Sequence, residues 1–288
     1  MFLKMRAIMQ IMLNKPFNIL KNNMLFIQPL LFYLLLLMTL LTFVVSPSVQ
    51  FISKVMMLIS IVLMTVAISA GWFYINKLAL LSYNQEDDKE TITEKSINNF
   101  KKFFIGVGEN FFRFLFANII CFIFFVGITF LVVKACFHFF GEPTIFLSLS
   151  KMVEEKTNAE VFAYLNSIPD ADKLSFVSWV WAMVVSASVL NFVWILYFAV
   201  LIFEKNNVFI CFLKTLKFFF QNIFNCLFII FITFILYFGL NFLSIIMGSN
   251  TFSFVILIML MTLYLNYYLL LVFCFYNEKS KNNSNNRT

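Results

Sequence analysis

The first long apolar stretch of the chain is MLFIQPLLFYLLLLMTLLTFVV, residues 24–45, and it contains no charged side chain. An α-helix needs about 20 apolar residues to cross the roughly 30 Å of hydrocarbon in a bilayer. The apolar core of a cleaved signal peptide is shorter, at about 7–15 residues. Residues 24–45 therefore predict an uncleaved first membrane-spanning helix.

Five further stretches have the same character, at residues 55–75, 111–133, 174–203, 218–247 and 251–276. Their interiors contain no Asp, Glu, Lys or His, and Arg113 lies at an edge from which its side chain can reach lipid headgroups. The whole chain is 62% hydrophobic and only 12% charged, whereas soluble proteins are about 25% charged. The sequence predicts an all-α, polytopic bundle of six transmembrane helices in one domain, residues 1–276.

The basic residues predict the orientation of these helices. The N-terminal segment, the second and fourth loops and the C-terminal segment carry sixteen Lys and Arg residues, and the other loops carry five. The positive-inside rule places the richer face, and both termini, in the cytoplasm.

The net charge of +7 is spread between apolar runs, which excludes a nucleic-acid partner. Abundant Phe, Ile, Lys and Asn suggest an AT-rich bacterial genome and thus a bacterial plasma membrane. The polar tail, residues 277–288, is predicted to be disordered.

A stripe of apolar residues occurs three times along the chain. It consists of Ile97, Phe100, Phe104, Val107 and Phe111, recurs as Phe209, Phe212, Leu216, Phe219 and Ile223, and recurs in part as Leu13, Phe17, Leu20 and Met24. Spacings of three and four residues are typical of one helix face. We predict three parallel repeats, each a cytoplasmic amphipathic interfacial helix followed by a transmembrane hairpin. Pro16 is expected to interrupt the first amphipathic helix.

Two polar positions recur in register with the stripe. One is occupied by Lys15, Lys102 and Lys214, and the other by Asn23, Asn110 and Asn222. We expect the lysines to anchor the interfacial helices to anionic headgroups. We expect the asparagines to lie where the chain turns into the bilayer and to cap the helix that follows.

Residues 135–173 form the one long extracytoplasmic loop of the predicted topology. Gly141 and Pro143 break the preceding helix, and residues 145–153 and 159–165 are predicted to form short helices. Asp172 is the predicted N-cap of the fourth span. The loop covers the bundle, binds a partner or serves as a simple connector.

Polar groups inside the predicted spans are few and neutral. They are Gln28, Asn118, Thr129, Asn191, Thr233, Asn241 and Asn266. We interpret them as interhelical hydrogen-bonding groups, with a polar cavity lined by Asn191, Asn241 and Asn266 as the second interpretation. The absence of a charge in the spans argues against a proton- or ion-coupled transporter.

Small residues four apart, Ala67 and Gly71, predict a close helix approach, and Trp179 and Trp181 suit an interfacial belt.

The sequence contains no recognisable catalytic, cofactor-binding or metal-binding motif. The five cysteines are scattered and there is one histidine, His138, so no zinc-ligand spacing occurs. We interpret the cysteines as small buried hydrophobic residues. The pair Glu154–Glu155 lacks the intramembrane histidines of CAAX-type proteases, and Asp170 with Asp172 is a weak basis for a cation site. We therefore expect no enzyme activity, cofactor or metal.

Two segments carry a resemblance to known proteins. They are Leu213-Lys214-Thr215-Leu216-Lys217-Phe218 followed by Gln221-Asn222, and Asn98–Phe100 followed by Val107-Gly108-Glu109-Asn110. In these segments the chain resembles a loose group of Gram-positive six-span membrane proteins, including the membrane domain joined to some glycerophosphodiester phosphodiesterases. The resemblance implies a bacterial plasma membrane location and no known catalytic residues.

These observations lead to two predicted functions. The first is a non-enzymatic accessory or scaffold protein that acts with a protein partner or as a homo-oligomer in a bilayer with anionic headgroups. The alternative is the membrane-spanning permease component of a transporter, such as an ATP-driven exporter with a separate ATPase. An enzyme acting on lipid would need a carboxylate cluster or a histidine at the membrane surface, and the sequence offers neither.

Overall fold

A computed structural model describes residues 13–46, 50–83, 92–142, 167–204, 206–247 and 251–285. Within these ranges the regular structure is entirely helical. Six of the described helices are long and apolar enough to cross a membrane: Met24–Val45, Phe51–Tyr83, Phe103–Phe140, Asp170–Phe203, Ile223–Met247 and Ser253–Ser280. The predicted class, an all-helical protein with six candidate spans, is confirmed.

The helices are numbered here in chain order. They are α1 (13–22), α2 (Ile27–Val45, entered through a 3-10 turn at Met24–Phe26), α3 (Phe51–Tyr83), α4 (Ile92–Lys101), α5 (Phe103–Phe140), α6 (Asp170–Phe203), α7 (Val208–Gln221), α8 (Ile223–Met247) and α9 (Thr251–Asn285). Several exceed their predicted spans because apolar content marks only the part of a helix that lipid covers. Helix α9 continues past Tyr276, where the sequence placed the start of a disordered tail, as far as Asn285.

The chain divides into two compact units, whereas the sequence predicts one domain over residues 1–276. The larger unit comprises residues 1–119 and 193–288, and the smaller one comprises residues 120–192. Helices α5 and α6 are each divided between the two units, with one part of the helix in the larger unit and the other part in the smaller unit.

In the smaller unit, the end of α5 pairs with the start of α6. Gly141 ends α5 with a positive φ of 76°, a conformation that glycine adopts without steric cost. The Trp179 Nε1 group donates to the Gly141 carbonyl at 3.2 Å, and the Ser175 hydroxyl donates to the Phe140 carbonyl at 2.6 Å. Trp179 is thus buried against α5, at 4% exposure, and only Trp181 is open to the surroundings as an interfacial residue would be.

The start of α6 differs from its prediction. The helix begins at Asp170, and the backbone N–H of Asp172 donates to the Pro169 carbonyl at 3.1 Å. Asp172 therefore lies in the first turn and is not the N-cap. Its carboxylate still lies at the end of the helix where the backbone dipole favours negative charge. The predicted short helices at 145–153 and 159–165, Pro143 and the pair Glu154–Glu155 lie outside the described residues.

The core of the larger unit is aromatic. The ring of Phe73 lies 5.5 Å from that of Phe114, 5.6 Å from those of Phe198 and Phe273, and 6.3 Å from that of Trp194. These contacts join α3, α5, α6 and α9 in mostly edge-to-face geometry, which the ring quadrupoles favour. Because lipid chains are as apolar as these side chains, such close packing is what holds helices together in a membrane.

Two glycines allow α3 and α5 to approach closely. A Cβ atom on Gly71 would lie 2.7 Å from the Phe103 ring, and one on Gly106 would lie 2.5 Å from the Tyr74 Cβ. The spacing of Ala67 and Gly71 predicted a close helix approach on this face of α3, but it did not predict which helix would be the partner.

All five cysteines are described, and each is free and buried. This confirms their interpretation as small buried hydrophobic residues.

The breaks before the spans follow the predicted repeat only in part. The chain turns at Asn23 between α1 and α2 and at Asn222 between α7 and α8, but in the second copy it turns at Lys102, eight residues before Asn110. Asn110 instead lies within α5. Helix α1 runs through Pro16 without interruption in its described part.

Candidate functional site

The densest polar contacts in the described structure surround the C-terminus of α6. The last carbonyls of a helix have no partner within it and carry partial negative charge. Here Lys77 donates from Nζ to the Ile202 carbonyl at 2.7 Å. The Arg113 guanidinium donates to the carbonyls of Glu204 and Asn206, both at 2.9 Å. Arg113 was expected to extend toward lipid headgroups, but its guanidinium binds these protein carbonyls.

The Glu204 side chain continues the same set of contacts. Its carboxylate pairs with the Lys214 ammonium from α7, and it accepts hydrogen bonds from the Tyr276 hydroxyl at 2.5 Å and the Asn206 amide at 2.8 Å. We call these four side chains, together with that of Arg113, the Glu204 cluster. The cluster joins α5, α7 and α9 to the end of α6.

The electrostatics of the cluster favour an ionised glutamate. Burial of Glu204 raises its pKa, but the hydrogen bonds from Lys214 and Tyr276 and the positive charge of Lys214 outweigh that effect. The net result is a pKa below the ordinary glutamate value. A carboxylate that is held ionised and hydrogen-bonded on several sides is a structural tie and a weak proton acceptor. Among the described residues, no group of three or more His, Cys, Asp or Glu is placed to hold a metal ion.

A second tie connects the two ends of the described chain. The Lys15 ammonium lies 3.1 Å from the Glu278 carboxylate, and the Tyr267 hydroxyl donates to the Leu13 carbonyl at 3.4 Å. These contacts hold α1 against α9. They also satisfy the charge of Lys15 within the protein.

The three repeat lysines thus have different surroundings. Lys15 pairs with Glu278 and Lys214 pairs with Glu204, while Lys102 is exposed at the turn before α5. Two of the three ammonium groups thus form ion pairs with carboxylates of the protein. These pairs were not predicted from the sequence. Anchoring of all three to lipid headgroups stays a prediction.

The three repeat asparagines make one common hydrogen bond. The amide groups of Asn23, Asn110 and Asn222 donate to the carbonyl four residues earlier, at 2.8, 3.0 and 3.0 Å. Asn23 occupies the N-cap position of the turn that follows it, but its side chain makes no cap hydrogen bond there, so the predicted side-chain cap is wrong at this position. Asn76, Asn118 and Asn241 form the same backward bond, so the bond does not distinguish the repeat positions.

The three asparagines proposed to line a polar cavity differ in burial. Asn191 is exposed and belongs to the smaller unit, whereas Asn241 and Asn266 belong to the larger one. Asn241 donates to the Tyr237 carbonyl at 2.8 Å. Asn266 is fully buried, and among the described residues neither its Oδ1 nor its Nδ2 atom has a hydrogen-bond partner. The cavity itself stays a prediction.

The Glu204 cluster was not predicted from the sequence, although the sequence carries one signal for it. Glu204 is the single acidic residue between Asp172 and Glu278. A carboxylate that is isolated among apolar and basic residues must find cations or donors nearby if it is partly buried. That requirement points to the basic residues that follow Glu204, Lys214 among them, but it identifies neither Arg113 nor Tyr276, which are brought close only by the fold.

Comparison with known proteins adds no relative to this description. The chain matches no protein-family model, no curated protein and no solved structure. The resemblance to Gram-positive six-span membrane proteins stays a prediction.

Proposed function

We propose that this chain is a non-enzymatic membrane protein that acts as a scaffold or accessory subunit for partner proteins. The observation that carries the proposal is the packing around Phe73. Rings from α5, α6 and α9 surround it, and Phe73, Phe114, Phe198 and Phe273 are each at most 1% exposed. A solute pathway through these helices would need polar groups or open volume where these rings pack.

The arrangement of polar contacts supports the same role. The Glu204 cluster and the pair Lys15–Glu278 tie helix ends together, and the cations at the α6 C-terminus satisfy backbone carbonyls. Polar groups engaged in this way stabilise one arrangement of helices. A fixed arrangement suits a protein whose task is to present surfaces to others.

Many large apolar side chains remain exposed, in keeping with a lipid or protein environment. Phe224 is 85% exposed, Phe104 81% and Phe122 70%. Soluble proteins rarely expose contiguous apolar patches of this kind. We assign the exposed faces to lipid and to the transmembrane helices of a partner.

One observation favours the alternative, a permease component with a separate ATPase. Helix α4 is short and polar, and it buries Ser96 and Asn99 while it exposes Glu94 and Asn98. The Asn99 amide donates to the Ser82 hydroxyl at 3.2 Å, which fixes α4 to α3. A polar helix that is firmly held beside a span is a surface to which an ATPase could couple.

For location, we propose a multi-pass protein of a bacterial plasma membrane with both termini in the cytoplasm. Six of the described helices are long and apolar enough to cross a membrane, and six crossings would put both ends on one side. The excess of Lys and Arg on that side supports the cytoplasmic assignment.

The test uses the purified full-length chain reconstituted in liposomes and, in parallel, the chain in its native membranes. A photo-crosslinking residue at Asn98 or at Phe122 would report neighbours of α4 and of an exposed span position, respectively. The scaffold role predicts one defined protein adduct from at least one of these positions. It also predicts that the Glu204→Gln substitution, which loosens the cluster, reduces the adduct.

The identity of the partner and the presence of transport activity distinguish the scaffold from the permease component. An ATPase crosslinked at Asn98, together with ATP-dependent solute movement once that ATPase is added, would establish the permease and reject the scaffold. Substrate turnover or solute transport by the purified chain alone would reject both.

A further inference from the structure

Helices α1, α8 and α9 enclose a groove in the larger unit. Its volume is about 880 Å³, within the usual range for small-molecule sites. Its walls include Leu20, Lys21, Leu236, Gly239, Leu263 and Tyr264. We call it the Lys21 groove.

The groove presents an apolar interior. The two tyrosines in its wall use their hydroxyl groups elsewhere: Tyr264 donates to the Thr233 carbonyl at 3.0 Å, and Tyr267 donates to the Leu13 carbonyl at 3.4 Å. Both therefore offer ring surface to an occupant. Gly239 adds open space, since a Cβ atom built on it meets no other atom within 4 Å.

One charged residue lines this apolar space. Lys21 is exposed, and among the described residues its ammonium takes part in no ion pair. Lys15, on the same helix, is paired with Glu278. The fold thus leaves the positive charge of Lys21 available beside the groove.

We propose that the Lys21 groove binds one anionic phospholipid, with an acyl chain along α8 and α9 and the phosphate at Lys21. A long apolar wall beside a single free cation complements a ligand with a hydrocarbon chain and an anionic end. The residues from Leu260 to Tyr267 extend about 10 Å along α9, which allows contact with several methylene groups. This inference does not depend on the scaffold role.

The test measures lipid binding to the full-length protein in detergent by native mass spectrometry. Phosphatidylglycerol and phosphatidylcholine with identical acyl chains are the probes. The unaltered protein should bind one phosphatidylglycerol roughly fivefold more tightly than phosphatidylcholine, the factor expected for one lysine near an anionic headgroup. Glycerol 3-phosphate, which has the phosphate but no chain, should not compete.

Two variants and two matched controls locate the site. Lys21→Gln should abolish the preference for phosphatidylglycerol and leave weak binding of both lipids. Gly239→Leu should weaken both lipids by roughly tenfold, because its side chain takes the place of about two buried methylene groups. Lys217→Gln removes an exposed lysine elsewhere, and Gly127→Leu adds the same side chain at another open glycine. Both controls should bind lipid as the unaltered chain does.

Three results of the binding measurements would overturn the proposal. They are equal binding of the two lipids by the unaltered chain, competition by glycerol 3-phosphate, and Lys21→Gln or Gly239→Leu values equal to those of their controls. A photoreactive acyl chain provides a second readout and should label residues near Leu240 and Leu263. A photo-crosslinker at Leu263 that captures residues 1–12 or a second copy of the chain in place of lipid would also reject the proposal.

Discussion

The side chain of Tyr74 lies directly against Gly106, so that a Cβ atom on this glycine would be 2.5 Å from the Tyr74 Cβ. Two residues later in the same helix, Gly108 has no other atom within 4 Å of the corresponding position. The pair allows a controlled test of the α3–α5 contact in the larger unit. It separates the steric role of a glycine from its effect on helix propensity.

Gly106→Ala should lower the free energy of unfolding by about 1–3 kcal/mol, since the added methyl group forces α5 away from Tyr74. Gly108→Ala should be neutral or stabilising by up to about 1 kcal/mol, because alanine favours the helix more than glycine does. Thermal unfolding in detergent, followed by circular dichroism, measures both. Equal effects of the two substitutions would show that the contact with Tyr74 is not a constraint.

The Glu204 cluster predicts acid sensitivity. The pKa of Glu204 is lower in the folded chain than its ordinary value, so its contribution to stability is present above the unfolded pKa. That contribution is lost as the pH falls through the folded pKa. The melting temperature measured from neutral to acidic pH should therefore fall less steeply for Glu204→Gln than for the unaltered protein.

Glu142→Gln is the matched control for this pH series, since it removes an exposed carboxylate from the smaller unit. It should leave the acid limb of the curve unchanged. Superimposable curves for Glu204→Gln and the unaltered protein would contradict the role assigned to the cluster.

Arg113 provides a third prediction, because its guanidinium donates to the Glu204 and Asn206 carbonyls at the end of α6. Arg113→Lys keeps the charge but loses the fork of donors. We expect a loss of about 1–3 kcal/mol in the free energy of unfolding, the usual value of hydrogen bonds to charged groups. Lys217→Arg, at an exposed position on α7, should have no measurable effect. A fully stable Arg113→Lys protein would mean that charge alone suffices.

Asn266 and Asn118 form a fourth, opposed pair. Both side-chain polar atoms of Asn266 are buried without a partner among the described residues. The amide of Asn118 donates to the Phe114 carbonyl at 2.8 Å, and its oxygen accepts from Trp194 at 3.4 Å. Replacement of an unsatisfied buried group by leucine should stabilise the protein, and replacement of a satisfied one should not.

The measurement is the shift in melting temperature of Asn266→Leu and of Asn118→Leu, with opposite signs expected. Marked destabilisation by Asn266→Leu would instead indicate that this amide binds water or a ligand inside the bundle. That outcome would support the prediction of a polar cavity at Asn266.

The sequence was sufficient for the class of fold because the apolar runs respond to one dominant force. Long runs of residues such as Leu34 or Phe124 lack the polar surface that water requires, so their length and composition alone predict helices that could cross a membrane. Helix ends were less accessible, since α5 continues from Phe103 to Phe140 with backbone bonds that hydropathy does not report. The position of the turn at Lys102 likewise cannot be predicted from the periodicity of apolar residues.

The polar contacts were harder to predict than the spans. Lys15 and Glu278, or Glu204 and Tyr276, are far apart along the chain and meet only because α9 lies beside α1 and α6. One sequence shows which residues are charged, but it does not show which of them become neighbours. The close approach at Gly71 was within reach because it rests on a local pattern of small residues on a single helix.

The burial of all five cysteines also bears on the chemistry of the molecule as a whole. The thiolate is the form that reacts with oxidants, and burial both shields the sulfur and disfavours that form, as the raised pKa of the Cys211 thiol illustrates. Disulfide reagents thus find no accessible thiol while the protein is folded. Disulfide bonds between copies are therefore not expected while the fold is intact, so that association between copies rests on non-covalent contacts.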